Sequence, residues 1–426
     1  MTSLAPPIDL MLPPIDIVDH PCGNGANLVL SPLPTVPLLQ AHLALEVPLR
    51  TAADTAVWDV LAATLPALPA CTAFETVGGQ VAVTRRQQWL MVSLTCAGSH
   101  TGPLTDALAG VLAFDATDDA IHQARTKAAQ QAALVASVPA VDSTRRLWQN
   151  YYGHLPPYAD PVADATHIRS VTAANVRRAH KDLRPQRAHL VVVGDLASPQ
   201  LATRLEDVLA CWPDPLSNTE EHRASAQAPT HDRGPHLQHR PGWAQTHLRL
   251  AAPCTTRGDL PRFAAAQVAS LLLGGNFSSR INTDLRERHG LAYRTSATLT
   301  DHLDSDVIVI EADVAPPHAF TAWHRLQQIL TTFAQDGPTD QELQTAVRHT
   351  VGKYTLGLGE QTTRAACLMS YLTSGLGPAG VTEVPQAIAA LSRADVTDIA
   401  RLWHPSRMHG LLCGDLSADP HAAALT

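Results

Sequence analysis

Two side chains with hydrogen-bonding chemistry, Arg286 and Tyr293, stand seven residues apart on either side of a predicted helix end. A guanidinium is always charged and presents several donors, and a phenol adds another, so the pair can hold electronegative oxygen atoms. From the residues alone a simpler interpretation is also open. Arg286 can pair with Asp284 or Glu287 at the surface, and Tyr293 can be an ordinary residue of an amphipathic strand.

The surrounding sequence predicts the elements that position these two side chains. Ile281 and Leu285 are four residues apart and therefore share one face of a helix. Gly290 is the residue expected just past the last turn of that helix. Residues 291–300 then read as a strand, so both side chains are expected to reach one cleft.

A family resemblance rests on the stretch Leu272-Leu-Gly-Gly-Asn-Phe-Ser-Ser-Arg280, which continues as Ile281-Asn-Thr-Asp-Leu-Arg-Glu-Arg-His-Gly-Leu-Ala-Tyr293. It resembles the C-terminal half of the pitrilysin and mitochondrial processing peptidase family of zinc metallopeptidases. The family pattern is a glycine-rich turn, Ser-Ser-Arg-Leu, then Leu-Arg-Glu-x-x-Gly-Leu-Ala-Tyr, and Ile281 replaces the usual Leu. In that family the Arg and Tyr face the catalytic zinc from the opposite chamber wall and hold the substrate backbone. The resemblance implies those roles for Arg286 and Tyr293.

The zinc motif of catalytic family members is missing. They carry His-x-x-Glu-His on a helix in the N-terminal half, where two His bind zinc and the Glu is the general base. This chain has neither that motif nor His-Glu-x-x-His, and no glutamate stands between Glu75 and Glu206 to serve as the distal ligand. The corresponding helix is predicted at 54–65, where Val57-Trp-Asp-Val-Leu61 offers no zinc ligand set. We therefore expect no metal in this chain and no peptidase activity from the chain alone.

The turn before the motif, Gly274-Gly275-Asn276, lacks bulky side chains, so we expect it to let a substrate backbone approach closely. A turn that needs glycine for its own geometry is the alternative. The likeness to the longer glycine-rich loop of the family's non-catalytic mitochondrial subunit is loose. Ser278 and Ser279 are predicted to cap the following helix rather than to act as nucleophiles, because no partner base is identifiable.

A long-range repeat indicates a duplicated domain. An offset of 220 residues separates Pro185 from Pro405 and Gly194 from Gly414, within similar segments that both end in Gly-Asp-Leu. A period of this length is typical of domain duplication, because solenoid repeats run roughly 20 to 50 residues. Two unrelated strands ending in Gly-Asp turns are the alternative.

Each half mixes predicted strands with predicted helices, which favours α+β domains with helices packed on a mainly antiparallel sheet. The clearest strands and helices are 89–96, 307–314, 120–135, 319–334 and 342–358. We predict an N-terminal domain at 15–212, a linker at 213–241 and a C-terminal domain at 242–420. The family resemblance adds that the two domains fold alike and form half of a clam-shell chamber.

The predicted linker is rich in Pro, Ser, Thr, Gln, His and charge. His236-x-x-His239 within it is a conceivable metal-binding pair, but no Cys or neighbouring carboxylate completes a ligand set. A solvated, His-rich linker is the preferred interpretation.

Composition narrows the function classes. The net charge is -8 and the pI is near 6.2, whereas a nucleic-acid-binding protein is expected to carry a basic surface, so this function class is not expected. Neither a signal peptide nor an apolar run of about 20 residues is apparent, so no membrane association is expected. The seven cysteines stand singly, which predicts free thiols in a reducing compartment. With heavy use of Ala and Arg, a bacterial cytoplasmic protein is expected.

Some members of the resembled family divide their site between two chains, and this sequence looks like the chain that has lost zinc but keeps the Arg and Tyr. We expect a heterodimer in which a homologous His-x-x-Glu-His subunit supplies zinc, water and the general base. Arg286 would hold a substrate carbonyl and Tyr293 would donate to the oxyanion. Substrates would be unfolded peptides, with leader peptides of ribosomally made natural products as one class. A non-enzymatic peptide-binding or scaffold member is the alternative.

Overall fold

The structure is a computed structural model that describes residues 12, 15–47, 49, 51–160, 162–183, 188–212, 229–302 and 305–420. Within these residues each half of the chain forms one sheet. The first sheet contains β1 (Val18–Pro21), β2 (Asn27–Pro32), β3 (Leu38–Glu46), β4 (Gln80–Arg86), β5 (Trp89–Ala97) and β6 (Ala188–Gly194). The second contains β7 (His236–His239), β8 (Thr246–Pro253), β9 (Ala292–His302), β10 (Ser305–Val314) and β11 (His409–Gly414).

The two sheets share one topology, which confirms the duplication. The order β2-β6-β3-β5-β4 in the first sheet matches β7-β11-β8-β10-β9 in the second, and β1 is added at the edge of the first. In each series the first pair of strands is parallel and the others are antiparallel. His189 on β6 faces Ala44 on β3, and His409, which lies 220 residues after His189, faces Ala251 on β8 in the corresponding strand pair.

Helices cover these sheets in both halves. Those of the first half are α1 (Ala52–Thr64), α2 (Pro69–Thr76), α3 (Thr101–Ala113), α4 (Asp118–Ala136), α5 (Pro139–Tyr152), α6 (Ala165–Ser170), α7 (Ala173–Lys181) and α8 (Leu201–Ala210). Those of the second half are α9 (Leu260–Ser270), α10 (Ala319–Asp336), α11 (Asp340–Leu358), α12 (Gln361–Thr373), α13 (Gly380–Ala389) and α14 (Arg393–Leu402). The predicted α+β class with two similar domains is confirmed.

The helices α7 and α14, which correspond to each other in the repeat, begin with the same kind of side-chain cap. Helix α7 begins with a capping box between Thr172 and Asn175, and α14 begins with the same device between Ser392 and Asp395. In each box the hydroxyl and the side chain at the third helical position exchange hydrogen bonds with the backbone, which satisfies two otherwise unpaired donors. Both boxes lie at the 220-residue offset.

Each half places one helix on the sheet of the other half. Helix α5 packs on β8 and β11 of the second sheet, while α12 packs on β3 and β6 of the first. Alternate residues of β6 therefore enter different hydrophobic cores, Leu190 and Val192 one core and Val191 and Val193 the other. A strand buried on both faces reads as a continuous apolar run, as this one does.

Polar contacts reinforce the exchange. On α5 the Tyr152 hydroxyl lies 2.9 Å from His302 Nδ1, and burial lowers the pKa of His302 to about 4, so the imidazole stays neutral at neutral pH. On α12 the buried Arg364 donates from Nη1 to Ser31 Oγ at 3.3 Å, and Gln361 Nε2 donates to the carbonyl of Leu33 at 2.7 Å. The two halves are thus one packed unit.

The predicted linker is partly outside the described residues, which omit 213–228. From residue 236 it is an edge strand, because β7 pairs in parallel with β11. His236 and His239 are three residues apart in this strand and so point to opposite faces. His239 Nδ1 instead accepts a hydrogen bond from the Leu416 backbone N–H at 3.2 Å.

No single helix within the described ranges is long and apolar enough to cross a membrane. The bent pair 52–67 and 69–76, with 45° between its parts, meets the criteria of length and composition alone.

Candidate functional site

The segment that carries Arg286 folds as a helix with a widened turn. Asn282–Arg288 is a π-helix, and so is Leu271–Gly275, which ends with the two glycines of the glycine turn. π-Helical turns are rare and are frequently found at functional sites. Ile281 and Leu285 are both fully buried, as their spacing predicts.

Gly290 follows the last turn of this helix as predicted. Its φ of +61° lies in the left-handed region, which glycine adopts without a Cβ penalty. Its N–H donates to the carbonyl of Arg286 at 3.0 Å, and the Leu291 N–H donates to the carbonyl of Leu285 at 2.7 Å. These two bonds close the helix and direct the chain into β9.

The start of the helix differs from the prediction. Ser278 Oγ donates to Asn276 Oδ1 at 3.2 Å, and Ser279 Oγ is buried without a hydrogen-bond partner. The predicted serine side-chain cap is therefore wrong. Asn282 holds the turn instead, because its Nδ2 donates to the carbonyl of Phe277 at 2.7 Å.

Tyr293 is the extra residue of a β-bulge in the edge strand β9. In the register of β9 with β10, Arg294 faces Asp313 and Ala292 faces Val314, which leaves Tyr293 without an opposing residue. A bulge of this kind re-aims a side chain. Tyr293 is 81% exposed, so its phenol is available to a ligand.

Arg286 is held loosely at the surface on the other side of the Gly290 turn. Its guanidinium carbon lies 5.1 Å from the ring centroid of Phe277, which is itself 74% exposed. The alternative pairing with Asp284 is wrong, because Asp284 binds Arg325 through two hydrogen bonds of 2.7 and 2.8 Å. Glu287 Oε1 lies 3.8 Å from Arg286 Nε. The guanidinium therefore rests on a ring and keeps its donors exposed.

A buried charge network lies next to the bulge. Arg249 is 0% exposed, with Nη1 2.8 Å from Asp313 Oδ1 and Nε 3.2 Å from Glu311 Oε1. His247 Nδ1 lies 2.7 Å from the same Asp313 oxygen, and Arg294 Nη2 donates to Glu311 Oε2 at 2.7 Å. Burial opposes the charge of Asp313, but the hydrogen bonds and charges of His247 and Arg249 outweigh it and hold the pKa at about 2. The network ties β8, β10 and β9 together beside Tyr293.

In the glycine turn, Gly274 is needed for packing, whereas the sequence alone left open whether the glycines serve the fold or a substrate. Gly274 is buried against β9, where an added Cβ would lie 2.7 Å from the backbone nitrogen of Ala297. Gly275 is exposed, and the nearest atom to an added Cβ is Leu271 Cδ1 at 3.2 Å. Close approach of a substrate to Gly275 and Asn276 stays a prediction, whereas the absence of a side chain at Gly274 is required by the fold.

Gly274→Ala is expected to destabilise the protein by about 1–3 kcal/mol, because the backbone of β9 must move to admit the methyl group. Gly275→Ala is the matched control, since only the end of a flexible leucine has to shift. Urea denaturation of both variants measures the difference. Equal stability of the two variants would contradict the packing role.

The helix expected to carry a zinc motif is a core helix. Near the place expected for the motif the helix carries Val57, Val60 and Leu61, and the last two are fully buried. Asp59 on the same helix accepts from Arg85 Nε at 2.5 Å. Among the described residues, no group of three or more His, Cys, Asp or Glu is placed to hold a metal ion.

Comparison with known proteins agrees with the motif. Residues 170–349 match the family model of the peptidase M16 inactive domain. An uncharacterized zinc protease of Mycobacterium tuberculosis is 32% identical over 124 residues, which is 29% of this chain and 28% of that protein. One of Streptomyces coelicolor is 32% identical over 114 residues, 27% of this chain and 25% of that protein. The matched segment thus spans about a quarter of the length of these relatives.

Solved structures share the whole fold. A peptidase M16 inactive domain from Pseudomonas fluorescens has a TM-score of 0.82 at 19% identity and covers 95% of this chain and 99% of its own. A protease from Helicobacter pylori has a TM-score of 0.84 at 16% identity over 95% and 100% of the two chains. A chain of complex III2 from Candida albicans has a TM-score of 0.76 at 10% identity over 95% and 97%. The fold is therefore found both in a protease and in a chain of complex III2.

Proposed function

Because this chain belongs to the peptidase M16 family and carries the inactive domain of that family, we propose that it is the non-zinc subunit of a heterodimeric zinc endopeptidase. It is not active alone. Its partner is a homologous subunit with His-x-x-Glu-His, and the substrate is an unfolded peptide. We also propose a bacterial cytoplasmic location, which rests on seven cysteines that are all free thiols in the described part of the chain.

One observation carries the proposal: the two side chains of the family motif are exposed and weakly held in a chain without a zinc motif. Among the described residues, Arg286 contacts the ring of Phe277 and has the Glu287 carboxylate 3.8 Å away, and Tyr293 is 81% exposed. A scaffold has no chemical need for an exposed Arg and Tyr held by a π-helix and a bulge. A subunit surface that completes an active site on another subunit does need them.

Each of the two side chains has a separate task. The partner's zinc would supply the Lewis acid and the nucleophilic water. The Arg286 guanidinium, with its donors unengaged by strong pairs, would hold a substrate carbonyl and fix the peptide backbone. The Tyr293 phenol would donate a hydrogen bond to the oxygen on which negative charge develops.

The test is peptide cleavage by this chain alone, by a homologous His-x-x-Glu-His subunit from the same genome alone, and by the two mixed with zinc. We expect cleavage only in the mixture. Leader peptides of ribosomally made natural products are the first substrates to try. Activity of the zinc subunit alone at the rate of the mixture would contradict the proposal.

A scaffold or peptide-binding role is the second candidate, and the complex III2 chain of the same fold favours it. Under that role the two chains form a stable complex that cleaves no peptide. Size-exclusion chromatography alongside the cleavage assay separates the two functions.

A further inference from the structure

A cavity of about 490 Å³ lies in the second half of the chain, between α9, α11, α12 and the edge strand β9. Gly275 lies at its margin, at the entry to the motif helix, while Arg286 and Tyr293 do not line it. Pockets of roughly 300–1,000 Å³ are the usual size of ligand sites. We propose that this cavity binds a carboxylate of the peptide substrate, through Lys353, at a subsite separate from Arg286 and Tyr293.

The charges around the cavity favour an anion. Its lining includes Arg257, His349 and Lys353, and no Asp or Glu. Arg257 is already engaged, because its Nε lies 3.1 Å from Asp306 Oδ1 and its Nη1 donates to Ser370 Oγ at 3.1 Å. Lys353 is exposed and makes no hydrogen bond or ion pair with the described residues. It is thus the cation at this cavity that is free to bind a ligand.

Lysine is rare in this chain, so a lysine far from the cavity can serve as the control for Lys353. The sequence has three lysines, Lys127, Lys181 and Lys353, against 31 lysines and arginines together. Lys127 lies exposed on α4 of the other half. Its removal therefore controls for the loss of one positive charge at a distance from the cavity.

The rest of the lining suits a peptide rather than an inorganic ion. Phe263 and Tyr371 provide aromatic surface, and the Tyr354 hydroxyl donates to Gln267 Oε1 at 3.0 Å. Burial raises the pKa of Tyr354, so the phenol stays neutral and adds no repulsion to an anion. A peptide residue whose carboxylate binds Lys353 can pack its aliphatic part against these rings, so both the charged and the aromatic parts of the lining are used.

The cavity lies along the same strand, β9, as Tyr293. Strand β9 starts beside Tyr293 and lines the cavity at Thr298 and Leu299. Five residues of extended chain span roughly 17 Å. A peptide held at Tyr293 that runs along β9 therefore reaches this cavity with a residue about five positions from the scissile bond. This substrate assignment rests on the proposed function, whereas carboxylate binding itself does not.

The test uses the full chain alone and fluorescence anisotropy of labelled decapeptides. The first peptide contains one Glu and has an amidated C-terminus, and the second replaces that Glu with Gln. The third keeps Gln but has a free C-terminal carboxylate. We expect the first or the third to bind at least about tenfold more tightly than the second, which identifies a side chain or a terminus as the source of the carboxylate.

Lys353→Met is expected to weaken the tighter complex about tenfold, and Lys127→Met to leave it unchanged. Arg286→Ala should leave the ratio of affinities between the tighter peptide and the second peptide unchanged, because the carboxylate contact is separate from the backbone contact proposed for Arg286. Equal binding of all three peptides, or an unchanged affinity in Lys353→Met, would overturn the proposal. Cleavage by the two-chain mixture is a separate measurement, so failure here leaves the test of the proposed function intact.

Discussion

Tyr293→Phe is expected to lower the kcat of the two-subunit complex by about 100- to 1000-fold, the usual cost of removing one donor to an oxyanion. Arg286→Ala is expected to lower kcat/KM mainly through a higher KM, because Arg286 is proposed to hold a substrate carbonyl. Tyr293 is 81% exposed and Arg286 makes no close ion pair, so neither change removes a contact on which the fold depends. The melting temperature of each variant should therefore equal that of the unaltered chain. Steady-state cleavage of a quenched fluorescent peptide by the mixed subunits measures the effect.

Arg288→Ala is the matched control, because Arg288 is an exposed arginine on the same π-helix, two residues beyond Arg286. It should retain most of the activity. A rate loss in Arg288→Ala as large as that in Arg286→Ala would show that the charge of the wall, and not a placed guanidinium, is what matters. Full activity of Tyr293→Phe would remove the phenol from the mechanism.

Arg249→Met is expected to reduce the free energy of unfolding by about 3–5 kcal/mol, the cost of leaving buried carboxylates without their partner. Arg249 is 0% exposed and bridges Asp313 and Glu311, which lie on the strand opposite the bulge. Arg294→Met, which removes an exposed partner of the same Glu311, should cost less than about 1 kcal/mol. Guanidinium denaturation of both variants gives the comparison.

The same network predicts a pH dependence. The pKa of Asp313 is about 2 in the folded protein and therefore depressed below its unfolded value of about 3.9. Its contribution to stability is present above that unfolded value and is lost as the pH falls towards 2. In Arg249→Met this loss below pH 4 should be smaller than in the unaltered chain. An identical acid dependence in the two proteins would contradict the pairing.

Local patterns were sufficient for the elements that carry the motif. The four-residue spacing of Ile281 and Leu285 predicts the buried face of the helix, and Gly290 predicts its end. The 220-residue offset predicts two domains whose strands have the same order. These features depend on side-chain periodicity and on backbone conformations that particular residues favour, and both can be read from a short segment.

Other features depend on distant contacts and left no local signal. The bulge at Tyr293 follows from the register of β9 against β10, which no stretch of β9 alone specifies. Phe277 lies nine residues before Arg286, and only the folded turn brings its ring beneath the guanidinium. The packing limit at Gly274 comes from Ala297 on the following strand. Ser278 and Ser279 have the residue type of helix caps, but the turn directs their hydroxyls elsewhere.

The exchange of α5 and α12 between the two halves has a consequence for the origin of the chain. A protein of half this length would leave one helix without its sheet and one sheet without its helix. Two copies of it would satisfy both by trading helices about a two-fold axis, as domain-swapped dimers do. Fusion of two such copies turns their association into an intramolecular event, with an effective concentration in the millimolar range for short connections. The duplicated chain then folds independently of its own dilution, which frees the two copies to diverge in sequence.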